Sequence, residues 1–173
     1  WYALWPDKGP TYRSQWAPCW SNPETLAQIV KDCGELLRKD PRRTSVSISN
    51  PDVGTFCRCE ACKKARVPLG SAPCVNQLLA ANHVARELSK EFPDVRVYAL
   101  MYYITGWVPD IAVQKIKLEP NVWLCFAELS RDAGKPLRGQ PLAGKLKNFA
   151  RMSEGRLYIW DYTTNFSHYL LIH

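Results

Sequence analysis

The sequence predicts an α/β fold, the middle portion of a (β/α)8 barrel, from three observations. Helical and strand patterns alternate along the chain, as expected where right-handed crossovers join parallel strands. Several strand segments are continuous apolar runs, which are typical of strands buried in a parallel sheet. Polar side chains follow the strands at Asp52, Tyr102, Glu128 and Asp161, and in a barrel such positions converge on one pocket.

The number of predicted strands is too small for a closed barrel. The chain has 173 residues, enough for one domain with a hydrophobic core. About four strands are predicted, whereas a closed (β/α) barrel has eight. The patterns also begin and stop abruptly, so we expect residues 1–173 to be a partial barrel domain of a longer protein. A doubly wound sheet is the alternative architecture.

Composition excludes some partners. The net charge is +7, but the basic residues are scattered, and no run is long enough to indicate a nucleic-acid-binding tail. No apolar segment has the length of a transmembrane helix, and residues 1–10 lack the pattern of a signal peptide. We therefore expect neither a nucleic-acid nor a membrane partner. The high aromatic fraction of 12% suits core packing and sugar-binding platforms alike.

Three longer helices and a short one are predicted after an aromatic, Pro-rich loop at residues 1–18. Residues 21–40 form the first, because Ser21 and Glu24 have capping-box spacing and Pro23 suits the first turn. Apolar stripes at helical spacing predict helices at 75–92 and 140–152, and a short helix is predicted at 111–118. Asn82, near the stripe of the second helix, is interpreted as a buried amide with satisfied hydrogen bonds.

The predicted strands lead into polar turns. Residues 44–49 alternate Ser with Val and Ile, and a turn with Asn50 and Asp52 follows. Residues 95–103 and 121–129 are apolar runs that predict buried strands. Residues 157–160 predict another buried strand, which ends at Asp161.

A compact cysteine motif follows the first strand. It has the pattern C-x-C-x-x-C, formed by Cys57, Cys59 and Cys62. Three thiols this close are suited to bind structural zinc, with a fourth ligand from Cys19, Cys74 or a more distant residue. A disulfide is the alternative if the protein is exported. Cys33 and Cys125 lie on apolar faces and are predicted to be small core residues.

Two carboxylates stand out at strand ends. Glu128 ends an apolar strand, where burial costs free energy unless the carboxylate is paired or used, and where burial favours the protonated form that a general acid needs. Arg131 and Lys135 are close enough in sequence to be plain ion-pair partners instead. Asp161 has no Lys or Arg nearby in sequence, and its structural alternative is to cap the next element.

Longer motifs resemble a known family over most of the chain. They are SNPE at 21–24, SVSISNPDVGTFCRCEAC at 45–62, EFPDV at 91–95, the strand end at 125–128 and, most specific, LYIWDYTTNFSHYL at 157–170. On these motifs the sequence resembles the barrel domain of glycoside hydrolase family 163, also described as domain of unknown function 4838. It departs from the family pattern by inserting Pro51 between Asn50 and Asp52. Further departures are Gly106, where the family has a basic residue, and Lys135, where it has His.

The resemblance implies an exported bacterial endo-β-N-acetylglucosaminidase that cleaves complex N-glycans by a substrate-assisted, retaining mechanism with no cofactor required for catalysis. Its partners would be the N-glycan and the rest of the parent chain. From strand position we predict Glu128 as general acid/base and Asp161 as the carboxylate that orients the substrate's acetamido group. The predicted sugar-binding residues are Asn50, Asp52, Tyr102, Trp107, Trp160, Tyr162, Asn165 and His168.

Three other functions fit the same residues. A non-catalytic carbohydrate-binding barrel would use the carboxylates to bind sugar hydroxyls. Another hexosaminidase-like or glucuronidase-like glycosidase would use them on a different substrate. A zinc-stabilised binding module would be organised around the cysteine motif.

Overall fold

The computed structural model describes residues 17–52, 54–128, 132, 134–161, 164–165 and 170–171, with the last two pairs as backbone. The helices in this part of the chain are α1 (Pro23–Lys39), α2 (Glu60–Arg66), α3 (Pro73–Ser89), α4 (Asp110–Lys115) and α5 (Pro141–Met152). The strands are β1 (Ser45–Ser47), β2 (Arg96–Met101), β3 (Val122–Glu128), β4 (Leu157–Asp161), β5 (Thr164–Asn165) and β6 (Leu170–Leu171). None of the described helices combines the length and the hydropathy needed to cross a membrane.

Four of the strands form one parallel sheet. Their spatial order is β1-β2-β3-β4, the same as their order in the chain, and every neighbouring pair is parallel. β5 and β6 pair separately, as a short antiparallel ribbon. A doubly wound sheet reverses its strand order at a switch point, whereas a barrel does not. The predicted α/β class is therefore confirmed, and the sheet is consistent with a portion of a (β/α) barrel.

One face of the sheet packs against the helices and forms the core. On β2 the side chains of Val97, Ala99 and Met101 are fully buried, whereas Tyr98 and Leu100 on the opposite face are half-buried. β3 alternates in the same way along most of its length. The apolar run at 95–103 predicts a strand covered on both faces, but in the described part of the sheet a single layer of helices covers only one face of β2.

Side chains from helices and strands interlock in this core. Phe126 of β3 packs against Phe149 of α5 with ring centroids 5.6 Å apart, and both rings are essentially inaccessible to solvent. The buried amide prediction for Asn82 is confirmed. Its Nδ2 donates to the Lys117 carbonyl at 2.8 Å, and its Oδ1 accepts from the Glu119 N–H at 2.9 Å. The amide thereby ties α3 to the segment that enters β3.

One helix prediction needs correction, and one helix was not predicted. The cap of α1 is Asn22, not Ser21, because Asn22 Oδ1 accepts from the N–H groups of Glu24 and Thr25 at 2.8 and 3.3 Å. Pro23 occupies the first turn, as predicted. Helix α2 was not predicted, since its seven residues overlap the cysteine motif and carry no apolar stripe.

The prediction that β4 is buried is wrong for the described structure. Tyr158, Ile159 and Trp160 are 47%, 58% and 56% exposed. In the four-stranded sheet β4 is hydrogen-bonded on one side only, to β3, and it forms the edge of that sheet. Tyr158 and Trp160 point to the open face of the sheet, whereas Leu157 packs against the core, and no further described element covers the exposed side chains.

Candidate active site

The carboxyl edge of the sheet gathers the predicted site residues. Asn50 and Asp52 follow β1, Tyr102 directly follows β2, and Glu128 and Asp161 are the last residues of β3 and β4. Because all four strands are parallel, these residues lie along the same edge, where barrel enzymes form their active sites.

Glu128 and Asp161 are brought side by side by strand pairing. The two residues are Cα partners in the parallel register of β3 and β4. Together they line a small pocket of about 110 Å³ whose other walls are apolar: Phe126, Leu137, Leu142, Leu146, Ile159 and Trp160. Neighbouring strands are ~4.8 Å apart, so the backbones of Glu128 and Asp161 lie close together.

Glu128 has an ion-pair partner from a helix. Its Oε2 lies 2.6 Å from Lys145 Nζ on α5, and its side chain is only 19% exposed. The sequence suggested Arg131 or Lys135 instead. Lys135 pairs with Asp132 at 2.9 Å, and Arg131 lies outside the described residues. The side chain of Glu128 therefore projects toward the helical layer of the fold.

A larger concavity occupies the opposite, open face of the sheet. It has a volume of about 500 Å³, and its lining includes Ser45, Ser47, Ser49, Tyr98, Tyr158 and Trp160. Trp123 packs beside Tyr158, with ring centroids 5.4 Å apart, and Tyr98 lies 5.6 Å from Tyr158. Burial, followed by a hydrogen bond with Tyr158, raises the pKa of Tyr98. This combination of hydroxyls and aromatic rings suits a sugar ring.

Sequence reasoning missed this face, although a signal was present. The alternation S-V-S-I-S at 45–49 places three hydroxyls on one side of β1. The same period in β2 and β4 places Tyr98 and Tyr158 on that side as well. Cys125, predicted to be a core residue, is half-buried and lines this concavity. Cys33 is buried in the core, as predicted.

The loops after β1 and β2 hold three further predicted residues. Trp20 Nε1 donates to Asn50 Oδ1 at 2.7 Å, which fixes the Asn50 side chain. Asp52 is exposed, Tyr102 is half-buried, and Trp107 is 45% exposed. The Trp107 carbonyl accepts a hydrogen bond from the thiol of Cys74 at 2.9 Å, and Trp107 lines neither of the two pockets described above.

Three of the predicted sugar-binding residues lie at the limit of the described chain. Tyr162 and His168 are outside the described residues. Asn165 belongs to β5, where its backbone pairs with Leu170 of β6. The predicted roles of these three side chains stay predictions.

The cysteine motif forms a cluster with a distant residue. The sulfur atoms of Cys19, Cys57, Cys59 and Cys62 lie within 4.8 Å of one another. Burial opposes ionisation of Cys59, but hydrogen bonds from the Cys62 N–H and from the neighbouring thiols outweigh it and lower its pKa to about 7. Cys74 is not part of the cluster. It is fully buried, and burial raises its pKa to about 12.

Comparison with known proteins identifies a domain family and no characterised relative. No curated protein and no solved structure matches the chain. One family model, described as "Domain of unknown function (DUF4838)", matches residues 1–173, which is the whole sequence. The chain therefore belongs to the DUF4838 domain family.

Proposed function

We propose that this domain belongs to a glycoside hydrolase that cleaves N-glycans as an endo-β-N-acetylglucosaminidase. The observation that carries the proposal is the register pairing of Glu128 with Asp161 at the carboxyl ends of β3 and β4. Most glycoside hydrolases use a pair of carboxyl groups beside the scissile bond. Strand pairing supplies such a pair at the edge of the sheet where barrel enzymes bind substrate.

The proposed mechanism is substrate-assisted and retaining. The oxygen of the substrate's own 2-acetamido group attacks the anomeric carbon, so the protein needs no nucleophile of its own. Glu128 protonates the leaving glycosidic oxygen and then accepts a proton from the incoming water. Asp161 accepts a hydrogen bond from the acetamide N–H and orients the group for attack. The two carboxyl groups must act on neighbouring atoms of one sugar residue, and adjacent parallel strands, ~4.8 Å apart, place their end residues close together.

Aromatic side chains supply the proposed sugar contacts. Trp160 is 56% exposed, directly precedes Asp161, and lines both the small and the large pocket. An indole ring there offers an apolar face to a pyranose ring beside the carboxylates. Asn50 and Asp52, from the loop after β1, are proposed to bind hydroxyl groups. The proposed substrate is carried by extracellular glycoproteins, and export of the protein is part of the same proposal.

The test is turnover by the full-length protein on a fluorescently labelled complex N-glycan. Glu128→Gln and Asp161→Asn remove the two ionisable groups with little change in shape. We expect each to lower kcat by about two to four orders of magnitude. Glu119→Gln is the matched control, because Glu119 pairs with Arg86 at the entry to β3, at the opposite end of the strand. Wild-type rates in both site variants, with wild-type turnover intact, would refute the roles given to these carboxylates.

One observation favours a second candidate, a carbohydrate-binding barrel without turnover. An ion pair with Lys145 requires an ionised Glu128, whereas a general acid must carry a proton. In a binding module the same carboxylates would accept hydrogen bonds from sugar hydroxyls. One experiment distinguishes the two candidates. Calorimetric binding of the glycan without release of product supports the binding module. Release of product supports the hydrolase.

A further inference from the structure

The four clustered thiols come from two parts of the chain. Cys19 precedes α1, whereas the other three belong to the loop after β1 and to the first turn of α2. They span a range of exposure: Cys62 is fully buried, Cys57 is buried, Cys19 is half-buried and Cys59 is exposed. The fold thus assembles a single cluster from segments that are distant in sequence.

The sulfur separations match those of a tetrahedral metal site. Cys19 Sγ lies 3.7 Å from Cys59 Sγ and 3.8 Å from Cys62 Sγ. Four sulfurs that each lie ~2.3 Å from a central zinc ion are about 3.8 Å from one another. A disulfide would bring its two sulfurs to ~2.05 Å, much closer than the separations of 3.7 and 3.8 Å seen here. All four are free thiols in the structure.

Neighbouring polar groups hold the backbone of the cluster in place. Asn76 Nδ2 on α3 donates to the Cys62 carbonyl at 3.1 Å, and Arg66 donates to the Cys57 carbonyl at 3.1 Å. The N–H of Cys62 points at Cys59 Sγ, 3.5 Å away. Groups of this kind orient the ligands of structural metal sites. Arg66 also places a buried positive charge beside the cluster, where four thiolates and one divalent ion would carry a net negative charge.

We propose that Cys19, Cys57, Cys59 and Cys62 bind one Zn²⁺ ion in a closed, structural site. Four protein sulfurs fill a tetrahedral shell and leave no position for substrate, so the ion has no part in catalysis. It ties the segment before α1 to the loop after β1. Trp20, next to one ligand, also donates to Asn50 in that loop, so the metal supports the carboxyl edge of the sheet.

The test is the metal content of the full-length protein purified under reducing conditions without chelator. We expect about one zinc per chain by elemental analysis, and a native mass that shows one bound ion. Cys19→Ala should reduce zinc affinity by more than the roughly 10- to 100-fold typical of changes outside the ligand shell. Cys33→Ala, a buried cysteine outside the cluster, should keep full zinc content.

A second measurement does not depend on the variants folding. In the wild-type protein, bound zinc should protect the four cluster thiols from alkylation, and a chelator should expose those four together. Replacement by Co²⁺ should give the absorption bands of a tetrahedral thiolate site. The proposal is overturned by protein that contains no zinc and whose cluster thiols are alkylated at the same rates with and without chelator. It is also overturned by a mass lower by two hydrogens for a disulfide within the cluster, or by stoichiometric iron in place of zinc.

Discussion

Glu128 and Asp161 are Cα partners across β3 and β4, so strand pairing itself sets the spacing of the two carboxylates. They line one pocket, and Glu128 is held there by Lys145 at 2.6 Å. A spacing defined by a sheet is more rigid than one defined by a loop. The sheet register therefore links the fold to the proposed chemistry.

Replacing Lys145 tests how much the ion pair contributes to stability. Lys145→Met should lower the free energy of unfolding by about 1 kcal/mol, because Glu128 loses its partner but keeps some access to water. Lys147→Met, an exposed lysine on the same helix, is the control and should change it by less than about 0.5 kcal/mol. Urea unfolding measures both. Equal shifts in the two variants would show that the pair is not stabilising.

The contact between Trp20 and Asn50 should be a coupled unit. Trp20→Phe removes the indole donor and Asn50→Ala removes its acceptor, and each should cost about 1 kcal/mol of stability. Because both remove the same 2.7 Å hydrogen bond, the double variant should cost less than the sum. A double-mutant cycle by denaturant unfolding measures this coupling. Strict additivity would contradict the contact.

Trp160 should contribute more to oligosaccharide binding than to the stability of the folded protein. Trp160→Ala should weaken oligosaccharide binding about tenfold, because a stacked ring is lost from an exposed position. Trp160→Phe should have an intermediate effect, since a smaller ring remains. Leu36→Ala, an exposed apolar residue on α1, is the control and should bind as the wild type does. Calorimetry with a complex N-glycan gives the affinities, and unchanged binding by Trp160→Ala would remove this residue from the site.

The parallel sheet could be predicted because its strands carry strong local signals. The apolar runs at 95–103 and 121–129 contain β2 and β3, and the intervening helices separate them regularly. The exact end of a helix depends on which of several adjacent residues makes the capping hydrogen bonds. Ser21 and Asn22 both suit an N-cap, and only the hydrogen bonds of Asn22 distinguish them.

Contacts between residues that are distant in sequence were harder to predict than the helices and strands themselves. The cysteine motif indicated a metal site, but nothing in the spacing distinguishes Cys19 from Cys74 as the fourth ligand. The fold distinguishes them, since Cys74 is buried against the Trp107 carbonyl. Likewise, Lys145 reaches Glu128 because α5 packs on β3, a contact between residues too distant in sequence to suggest an ion pair.

The exposure of β4 shows why an apolar pattern alone does not define burial. Leu157 packs against the core, while Tyr158 and Trp160 point to the open face. An apolar run indicates which residues can be buried. The elements that pack around the strand determine which of these residues are buried. The large aromatic concavity is formed by side chains from several neighbouring strands. It could be recognised only once the register of those strands was known.

The most direct measurement is the mass of a complex N-glycoprotein after incubation with the full-length protein. The proposed endo-β-N-acetylglucosaminidase activity predicts loss of the glycan with a single N-acetylglucosamine left on each asparagine. Glu128→Gln and Asp161→Asn should form the same product about two to four orders of magnitude more slowly, and Glu119→Gln should form it at the wild-type rate. An unchanged glycoprotein mass after prolonged incubation with folded wild-type protein would contradict the account.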